Sequence, residues 1–231
     1  MGYLLPWPEE KSNMLKQRIG IIFDMDGVIV DNDIYHFRAW GELCKNYGLE
    51  VSQDEVKTWF GNTNPMILKR LFGDDIEQEK IIRIGGEKEA IYRDLYQNDI
   101  KALEGLVSLL RSLHDSGFTM AIATAAPTEN VDFVLEHTGI RHFFHKIVDA
   151  SMISEGKPSP EIYLKAAKVL NLDVKDCLVF EDSFHGIESA VRAGMKVIGV
   201  ATTHPSEKLK STIRNISDFT EINAADIIQL F

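Results

Sequence analysis

The sequence predicts a doubly wound α/β protein, with a mostly parallel, Rossmann-like sheet and an inserted α-helical cap domain. Five short runs are almost entirely apolar, as expected of strands that are covered on both faces in a parallel sheet. Helix-like segments separate the last four of these runs, and alternating strands and helices are typical of a doubly wound core. The stretch from 33 to 99 interrupts the alternation, because it contains helix-like segments and no convincing strand.

The predicted core strands are joined by segments with clear helix ends. One helix opens after Pro127 and closes at Gly139, and another begins at the N-cap-like Ser159 before Pro160. The β-rich runs span 19–23 (IGIIF), 118–124 (FTMAIAT), 146–149 (KIVD), 177–181 (CLVFE) and 196–201 (KVIGVA).

Four helix-like segments form the predicted cap. The first spans 33–48, starts at Asp33 and ends at Gly48. Gly61 and Gly73 punctuate the next two, and a long charged helix of about 75–98 follows, with a break at Gly85-Gly86 left open. We therefore predict a discontinuous core of residues 16–33 and 100–231, a cap of residues 34–99 and an N-terminal tail of residues 1–15.

Composition excludes several classes of function. The 231 residues are 45% hydrophobic, enough to bury a core, and 25 Lys and Arg against 35 Asp and Glu give a net charge of −10. That charge argues against binding nucleic acid or an anionic membrane.

Cys44 and Cys177 lie far apart in apolar stretches, which favours buried free thiols. With no membrane-length apolar run and no leader-like start, we expect a cytoplasmic protein; the oligomeric state stays open and a monomer is compatible.

Carboxylates follow two of the predicted strands. Asp24 and Asp26 follow the first, and Glu181 and Asp182 follow the fourth. Ligands of open α/β sheets bind at the carboxyl ends of the strands, so the four acids converge if these strands are neighbours. Two like charges ~4 Å apart repel by ~4 kcal/mol at an effective dielectric near 20, so the cluster needs a cation or raised pKa values. Mg²⁺ is the cation that suits such oxygen ligands.

Other interpretations exist for these acids. Each one alone is also explained as a turn-forming or helix-capping residue. A calcium-binding loop is excluded, since Val28 and Ile29 stand where an EF-hand needs Asp or Asn and then Gly.

Two further strand ends offer groups that bind anions. The Thr124 hydroxyl and the backbone N–H of Ala125 end the second strand and suit an anionic oxygen, although a terminal threonine is often only a cap. Lys157 follows the third strand, in a loop that Pro158 and Pro160 restrict. A held ammonium group there would face the carboxylates, whereas an isolated lysine is usually a solvated surface residue.

With these residues in this order, the sequence resembles the haloacid dehalogenase superfamily and, within it, the β-phosphoglucomutase-like phosphatases and mutases. The resemblance covers 19–201 and implies a Rossmann-like core with a helical cap. It is carried by DMDGV (24–28), Thr124, Lys157 of GKPSP, and EDSFHGIESA (181–190), and YHFRAW (35–40) is similar to the start of a β-phosphoglucomutase cap.

The resemblance implies a role for each motif residue. Asp24 is the expected nucleophile, forming an aspartyl-phosphate. Asp26 is expected to protonate the leaving oxygen and then deprotonate the attacking water, and its backbone carbonyl to bind Mg²⁺. Asp182 completes the metal site, and Glu181 assists directly or through the metal's waters.

The remaining motif residues are expected to hold the phosphoryl group. Thr124 and Lys157 bind its oxygens, and Lys157 also offsets the charge of Asp24. Gly27 lets the backbone approach the phosphate without a Cβ.

The cap departs from the mutase pattern. A mutase holds a second phosphate with an arginine after Gly-x-Ser, but GNTNPMIL places Asn64 there, and Thr63 and Asn64 carry no charge. We therefore predict a Mg²⁺-dependent phosphatase acting on a small phosphorylated metabolite such as a sugar phosphate. A β-phosphoglucomutase-type mutase is the alternative, and a non-catalytic metabolite-binding protein a remote one. His36 and Trp40, one helical turn apart, either face the cleft or stabilise the cap.

Overall fold

The computed structural model describes residues 19–59 and 62–231. The predicted tail of residues 1–15, the first three residues of the predicted core and Gly61 lie outside the described residues. Among the helices that are described, none combines the length and apolar composition needed to cross a bilayer.

The core is a parallel sheet with the strand order β3-β2-β1-β4-β5-β6. This topology confirms the predicted fold class and places β1 between β2 and β4. The strands are β1 (Gly20–Phe23), β2 (Thr119–Ala123), β3 (Lys146–Val148), β4 (Cys177–Glu181), β5 (Lys196–Val200) and β6 (Arg214–Ile216).

The last strand, β6, was not predicted. Its three residues, RNI, form no apolar run, and only Ile216 is buried. Its strand conformation comes from pairing with β5, where Val200 aligns with Ile216. A short edge strand of this kind depends on a tertiary partner rather than on its own residues.

Both faces of the sheet are covered, which explains the nearly all-apolar strands. Successive side chains of β1 point to opposite faces, so Ile21 and Phe23 join one apolar cluster and Ile22 the other. The core helices are α5 (Leu106–Asp115), α6 (Thr128–Thr138), α7 (Glu161–Leu170), α8 (Phe184–Arg192) and α9 (Ala224–Ile228).

Among the described residues, four helices lie between 33 and 99, before α5 in the chain. None of the described residues between 33 and 99 forms a strand, as predicted. These helices are α1 (Asp33–Asn46), α2 (Gln53–Lys57), α3 (Asn64–Phe72) and α4 (Gln78–Tyr96). They share an apolar cluster that includes Trp40, Leu43, Trp59 and Leu68. The residue limits predicted for core and cap remain a prediction.

Helix α4 runs without interruption through Gly85 and Gly86. The break left open by the sequence is therefore absent. Gly85 is buried against α3, where an added Cβ would lie 3.6 Å from the Cβ of Asn64 and 3.8 Å from Leu68 Cδ1. This packing against α3 supports the helix at a point where two glycines weaken it. Elsewhere, Cys44 and Cys177 are buried free thiols, as predicted.

We predict that Gly86→Ala stabilises the protein by about 0.5–1 kcal/mol, because Gly86 is an exposed residue inside a helix and an added Cβ would meet only open space. Urea unfolding measures the change in the free energy of unfolding. Gly105→Ala is the contrasting variant and should destabilise, since Gly105 has φ +77° and an added Cβ would lie 2.5 Å from the backbone of Phe219. Equal effects of the two substitutions would contradict this prediction.

Candidate active site

The carboxyl ends of β1, β2 and β4 meet at one edge of the sheet. Phe23 aligns with Ile122 of β2 and with Phe180 of β4, so the residues that follow these strands are neighbours. The backbone N–H of Asp24 donates to the carbonyl oxygen of Phe180 at 3.0 Å. The strand order therefore brings the acids after β1 and β4 together.

Three acids form a buried cluster at this edge. Asp24, Glu181 and Asp182 each offer a carboxylate oxygen within 4.8 Å of the others. Burial is the main cause that raises the pKa of Asp24 well above its usual value, against the opposing effect of Lys157. Burial and then the charges of Glu181 and Asp24 likewise raise the pKa of Asp182. If these acids are ionised together, a nearby cation is needed to offset the repulsion among their charges.

Lys157 is a buried cation beside the acid cluster. Its Nζ lies 3.0 Å from Asp24 Oδ1 and donates to Glu181 Oε1, and its side chain is 1% exposed. Burial lowers the pKa of Lys157, but Asp24 and Glu181 raise it to a net value above the usual one. Burial raises the pKa of Glu181, but Lys157 and the hydrogen bonds from Ser183 and Tyr163 together bring it below the usual value. Both groups are therefore charged.

Glu181 is held entirely by protein groups. Its Oε1 also accepts from the Tyr163 hydroxyl at 3.0 Å, and its Oε2 accepts from the backbone N–H groups of Asp182 and Ser183, each at 2.8 Å. A Cβ on Gly186 would lie 1.6 Å from Glu181 Oε1. Glu181 thus positions Lys157 beside Asp24. Sequence reasoning missed Tyr163 and Gly186, and the glycine early in a helix was the available signal for the second.

Gly27 makes room for Asp182. Gly27 has φ +75°, and an added Cβ would lie 2.1 Å from Asp182 Oδ2. Thr203 donates its hydroxyl hydrogen bond to the same oxygen, and Thr202 Oγ1 donates to the Gly27 carbonyl at 2.5 Å. The loop after β5 therefore holds both the glycine and the carboxylate, a contribution that the sequence did not indicate.

The cluster fits a hard divalent cation. Its donors are carboxylate oxygens, the ligands that Mg²⁺ prefers. Asp24 Oδ1 is buried and accepts no hydrogen bond of normal geometry, although Lys157 Nζ lies 3.0 Å away. Asp24 and Asp182 are the acids best placed to bind directly, because Glu181 uses both oxygens within the protein.

Asp26 faces the cap rather than the acid cluster. Its Oδ1 accepts from Asn32 Nδ2 at 2.6 Å and lies 3.6 Å from His36 Nε2. Burial raises the pKa of Asp26, but His36 and Asn32 together bring it below the usual value. Asp24 and Asp26 therefore occupy different electrostatic environments although one residue separates them.

Lys88 fixes the orientation of His36. Lys88 Nζ lies 2.8 Å from His36 Nδ1, and the ring stacks on Tyr92 at 4.1 Å between centroids. An ammonium group can only donate, so Nδ1 accepts and the ring carries its proton on Nε2, toward Asp26. The sequence did not single out Lys88, because a lysine in a charged helix indicates a solvated face.

Glu89 joins the cap to the core. Its Oε1 accepts from Asn64 Nδ2 at 2.8 Å and from Lys88 Nζ at 3.0 Å, and its Oε2 accepts from Asn130 Nδ2 at 2.6 Å. Burial raises the pKa of Glu89, but Lys88 and the hydrogen bond from Asn64 contribute to a net value below the usual one. Glu89 is therefore a buried carboxylate, and sequence reasoning missed it for the same reason as Lys88.

Most of the predicted site residues line one cavity between cap and core. Gly27, Thr63 and Glu181 do not line it: Gly27 and Glu181 lie behind Asp182 and Lys157, and Thr63 precedes α3 near Gly156. Predicted residues that do line the cavity are Asp24, Asp26, His36, Trp40, Asn64, Thr124, Ala125, Lys157 and Asp182.

The fold and this site define a haloacid dehalogenase-like hydrolase: the chain belongs to that family, whose model matches residues 21–200. It is 30% identical over 190 residues to fructose-1-phosphate phosphatase YqaB of Escherichia coli K12, covering 81% of this chain and 98% of the relative. It is 30% identical over 209 residues to the β-phosphoglucomutase of Bacillus subtilis 168, covering 87% and 91%.

A solved structure of a hydrolase of this family has a similar fold. The family IA, variant 3 hydrolase of this family from Entamoeba histolytica superposes with a TM-score of 0.82 at 31% identity, covering 92% of this chain and 98% of that one. The family resemblance predicted from the motifs is confirmed.

We predict that Gly186→Ala destabilises the protein by about 1–3 kcal/mol, the usual effect of overpacking. The added methyl group would displace the Glu181 carboxylate and so the partner of Lys157. The free energy of unfolding in urea measures the loss. Gly86→Ala is the matched control, because it makes the same substitution inside a helix with open space around it. If both variants gained stability, the close contact with Glu181 would not constrain this helix.

Proposed function

We propose that the protein is a Mg²⁺-dependent phosphatase that hydrolyses a small phosphorylated metabolite, a sugar phosphate, through an aspartyl-phosphate. The main support for this proposal is that one cavity is lined by the buried carboxylates of Asp24 and Asp182. Lys157 and Thr124 line the same cavity. Membership of the hydrolase family supports the reaction class.

The proposed nucleophile is Asp24. A phosphate ester is anionic and repels a carboxylate, so positive charge must be present before the oxygen of Asp24 can reach phosphorus. Lys157 supplies one such charge at 3.0 Å. Bound Mg²⁺ supplies further neutralisation, and Asp24, Asp182 and the backbone carbonyl of Asp26 are the groups proposed to hold it.

Asp26 is the proposed acid and base. Its lowered pKa keeps the side chain ionised, so a carboxylate oxygen is present to accept the proton of the attacking water. The preceding acid step needs Asp26 to gain a proton, which an arriving anionic phosphate favours because nearby negative charge raises a carboxyl pKa. His36 Nε2 lies 3.6 Å from Asp26 Oδ1, on the cap side of the cleft.

Thr124 and Ala125 are proposed to bind the transferring phosphoryl oxygens. Thr124 Oγ1 accepts from the backbone N–H of Ala126 at 3.1 Å, so the hydroxyl proton is available to a ligand. His36, Trp40 and Asn64 are proposed to contact the leaving group from the cap. The substrate roles of Gly27 and Thr63 remain predictions.

Hydrolysis is favoured over phosphoryl transfer between two sugar positions. A mutase must hold a second phosphate, and Asn64, at the place of the expected cap arginine, already donates to Glu89 at 2.8 Å. Lys69 and Arg70 are exposed and do not line the cavity. The similarity to a β-phosphoglucomutase keeps the mutase as the second candidate.

We predict that Asp24→Asn lowers kcat for p-nitrophenyl phosphate by at least about a thousandfold, because an amide is a poor nucleophile and a poor ligand for Mg²⁺. Release of nitrophenol measures the rate. EDTA should abolish wild-type activity, and excess Mg²⁺ should restore it.

Asp75→Asn is the matched control, since Asp75 is exposed and does not line the active-site cavity. It should retain wild-type activity. A wild type that is inactive on a panel of phosphate esters would instead favour a non-catalytic metabolite-binding protein.

We also predict that β-glucose 1-phosphate with a bisphosphate primer yields inorganic phosphate and free glucose. The reason is that no cationic cap residue among those described is available to retain the bisphosphate for a second transfer. Product analysis by NMR decides between the candidates. Accumulation of glucose 6-phosphate without release of phosphate would establish the mutase.

A further inference from the structure

The cap wall of the cavity carries a buried charge pair whose charges cancel. Glu89 is 5% exposed and Lys88 is 2% exposed. Lys88 Nζ lies 3.0 Å from Glu89 Oε1 and 2.8 Å from His36 Nδ1. Lys88 therefore already has an anionic partner and contributes no net positive charge to a ligand on this side of the cleft.

The other lysine at the cavity, Lys157, is also paired with carboxylates. Lys157 is bound by Asp24 and Glu181 at the opposite end, where the transferring phosphoryl group is proposed to bind. No arginine lines the cavity among the described residues. The acids that do line it are Asp24, Asp26, Asp33, Glu89 and Asp182.

These charges make the two ends of the cavity unequal. A first phosphate meets Lys157 and the site that suits a divalent cation. A second phosphate, reaching toward the cap, would approach the carboxylate of Glu89 with no unpaired cation among the described lining residues to balance it. Placing a phosphate in a desolvated site with no opposite charge to pair with it strongly disfavours the ligand.

The cap wall does offer uncharged groups. The indole Nε1 of Trp59 is buried and has no hydrogen-bond acceptor among the described residues. Trp59 and Trp40 lie edge to face at 5.6 Å, and both line the cavity with Asn62 and Asn64. Aromatic surfaces with neutral hydrogen-bonding groups match a ligand that carries hydroxyl groups rather than charges.

We infer that Glu89 determines substrate specificity by excluding a second phosphate. On this basis, which rests on the proposed phosphatase function, the substrate is the monophosphate ester of an uncharged polyol, and sugar bisphosphates are rejected. Glu89 neutralises Lys88 at the cap end of the cleft, so no cation remains there to pair with an anionic leaving group.

Glu89 also forms a contact between cap and core, and this second role makes a different prediction. Asn130 Nδ2 donates to Glu89 Oε2 at 2.6 Å across the two parts of the protein. If Glu89 only held the cap closed, its loss would weaken the binding of every ligand by the same factor. Charge exclusion instead changes the ratio between ligands that differ in one phosphate.

The experiment measures competitive inhibition of p-nitrophenyl phosphate hydrolysis by fructose 1-phosphate and by fructose 1,6-bisphosphate. For the wild type, we expect an inhibition constant for the bisphosphate that is at least about tenfold higher than for the monophosphate. Glu89→Gln should lower this ratio by about tenfold, because it removes the charge that neutralises Lys88 and so frees Lys88 to pair with the second phosphate.

Two variants act as controls. Glu79→Gln makes the same change at an exposed position of α4 and should leave the ratio unchanged. Asn130→Ala removes the contact across cap and core without altering the charge of Glu89, so both inhibition constants should change by one common factor.

The inference is wrong if the wild type binds the bisphosphate as tightly as the monophosphate, a measurement that needs no variant. It is equally wrong if Glu89→Gln leaves the ratio unchanged while p-nitrophenyl phosphate is still hydrolysed. A wild type that hydrolyses no phosphate ester would instead refute the proposed function, so the two failures are distinguishable.

Discussion

The structure depends on placing several carboxylates together out of water at the ends of two adjacent parallel strands. Asp24 and Asp182 have raised pKa values because burial and the repulsion among the clustered acids oppose ionisation. Lys157 offsets part of that repulsion, and Glu181 holds it there through a fully hydrogen-bonded carboxylate. The remaining imbalance makes this site suited to a cation and to an anionic group that shares it.

A chain of polar contacts links this cluster's loop to the cap and back to the core. It runs from Asp26 to His36 at 3.6 Å, to Lys88 at 2.8 Å, to Glu89 at 3.0 Å and to Asn130 at 2.6 Å. The proposed proton-transfer residue and the proposed specificity residue thus belong to one network. The same series of contacts therefore connects the environment of Asp26 with the contact between α4 and Asn130.

The features predictable from the sequence were those with a local signature. All-apolar runs predicted five of the strands, and acids directly after the first and fourth of these predicted their meeting point. Residues whose environment is formed by segments far away in the chain could not be identified from the sequence. Lys88 and Glu89 lie in a charged helix that resembles a solvated one, yet α1, α3 and α6 bury them. Strand β6 has no apolar run and forms only beside β5.

The sequence by itself determined the fold class, the family and the identity of the acids and the lysine at the strand ends, because each rests on short motifs and on periodic burial. Only the tertiary structure decided what each group faces. In the folded protein, Asp26 faces His36, Glu181 holds Lys157 in place, and Gly27 leaves room for Asp182. Those outcomes depend on contacts between segments far apart in the chain, and the distances and burial that set a charge's environment exist only once the chain has folded.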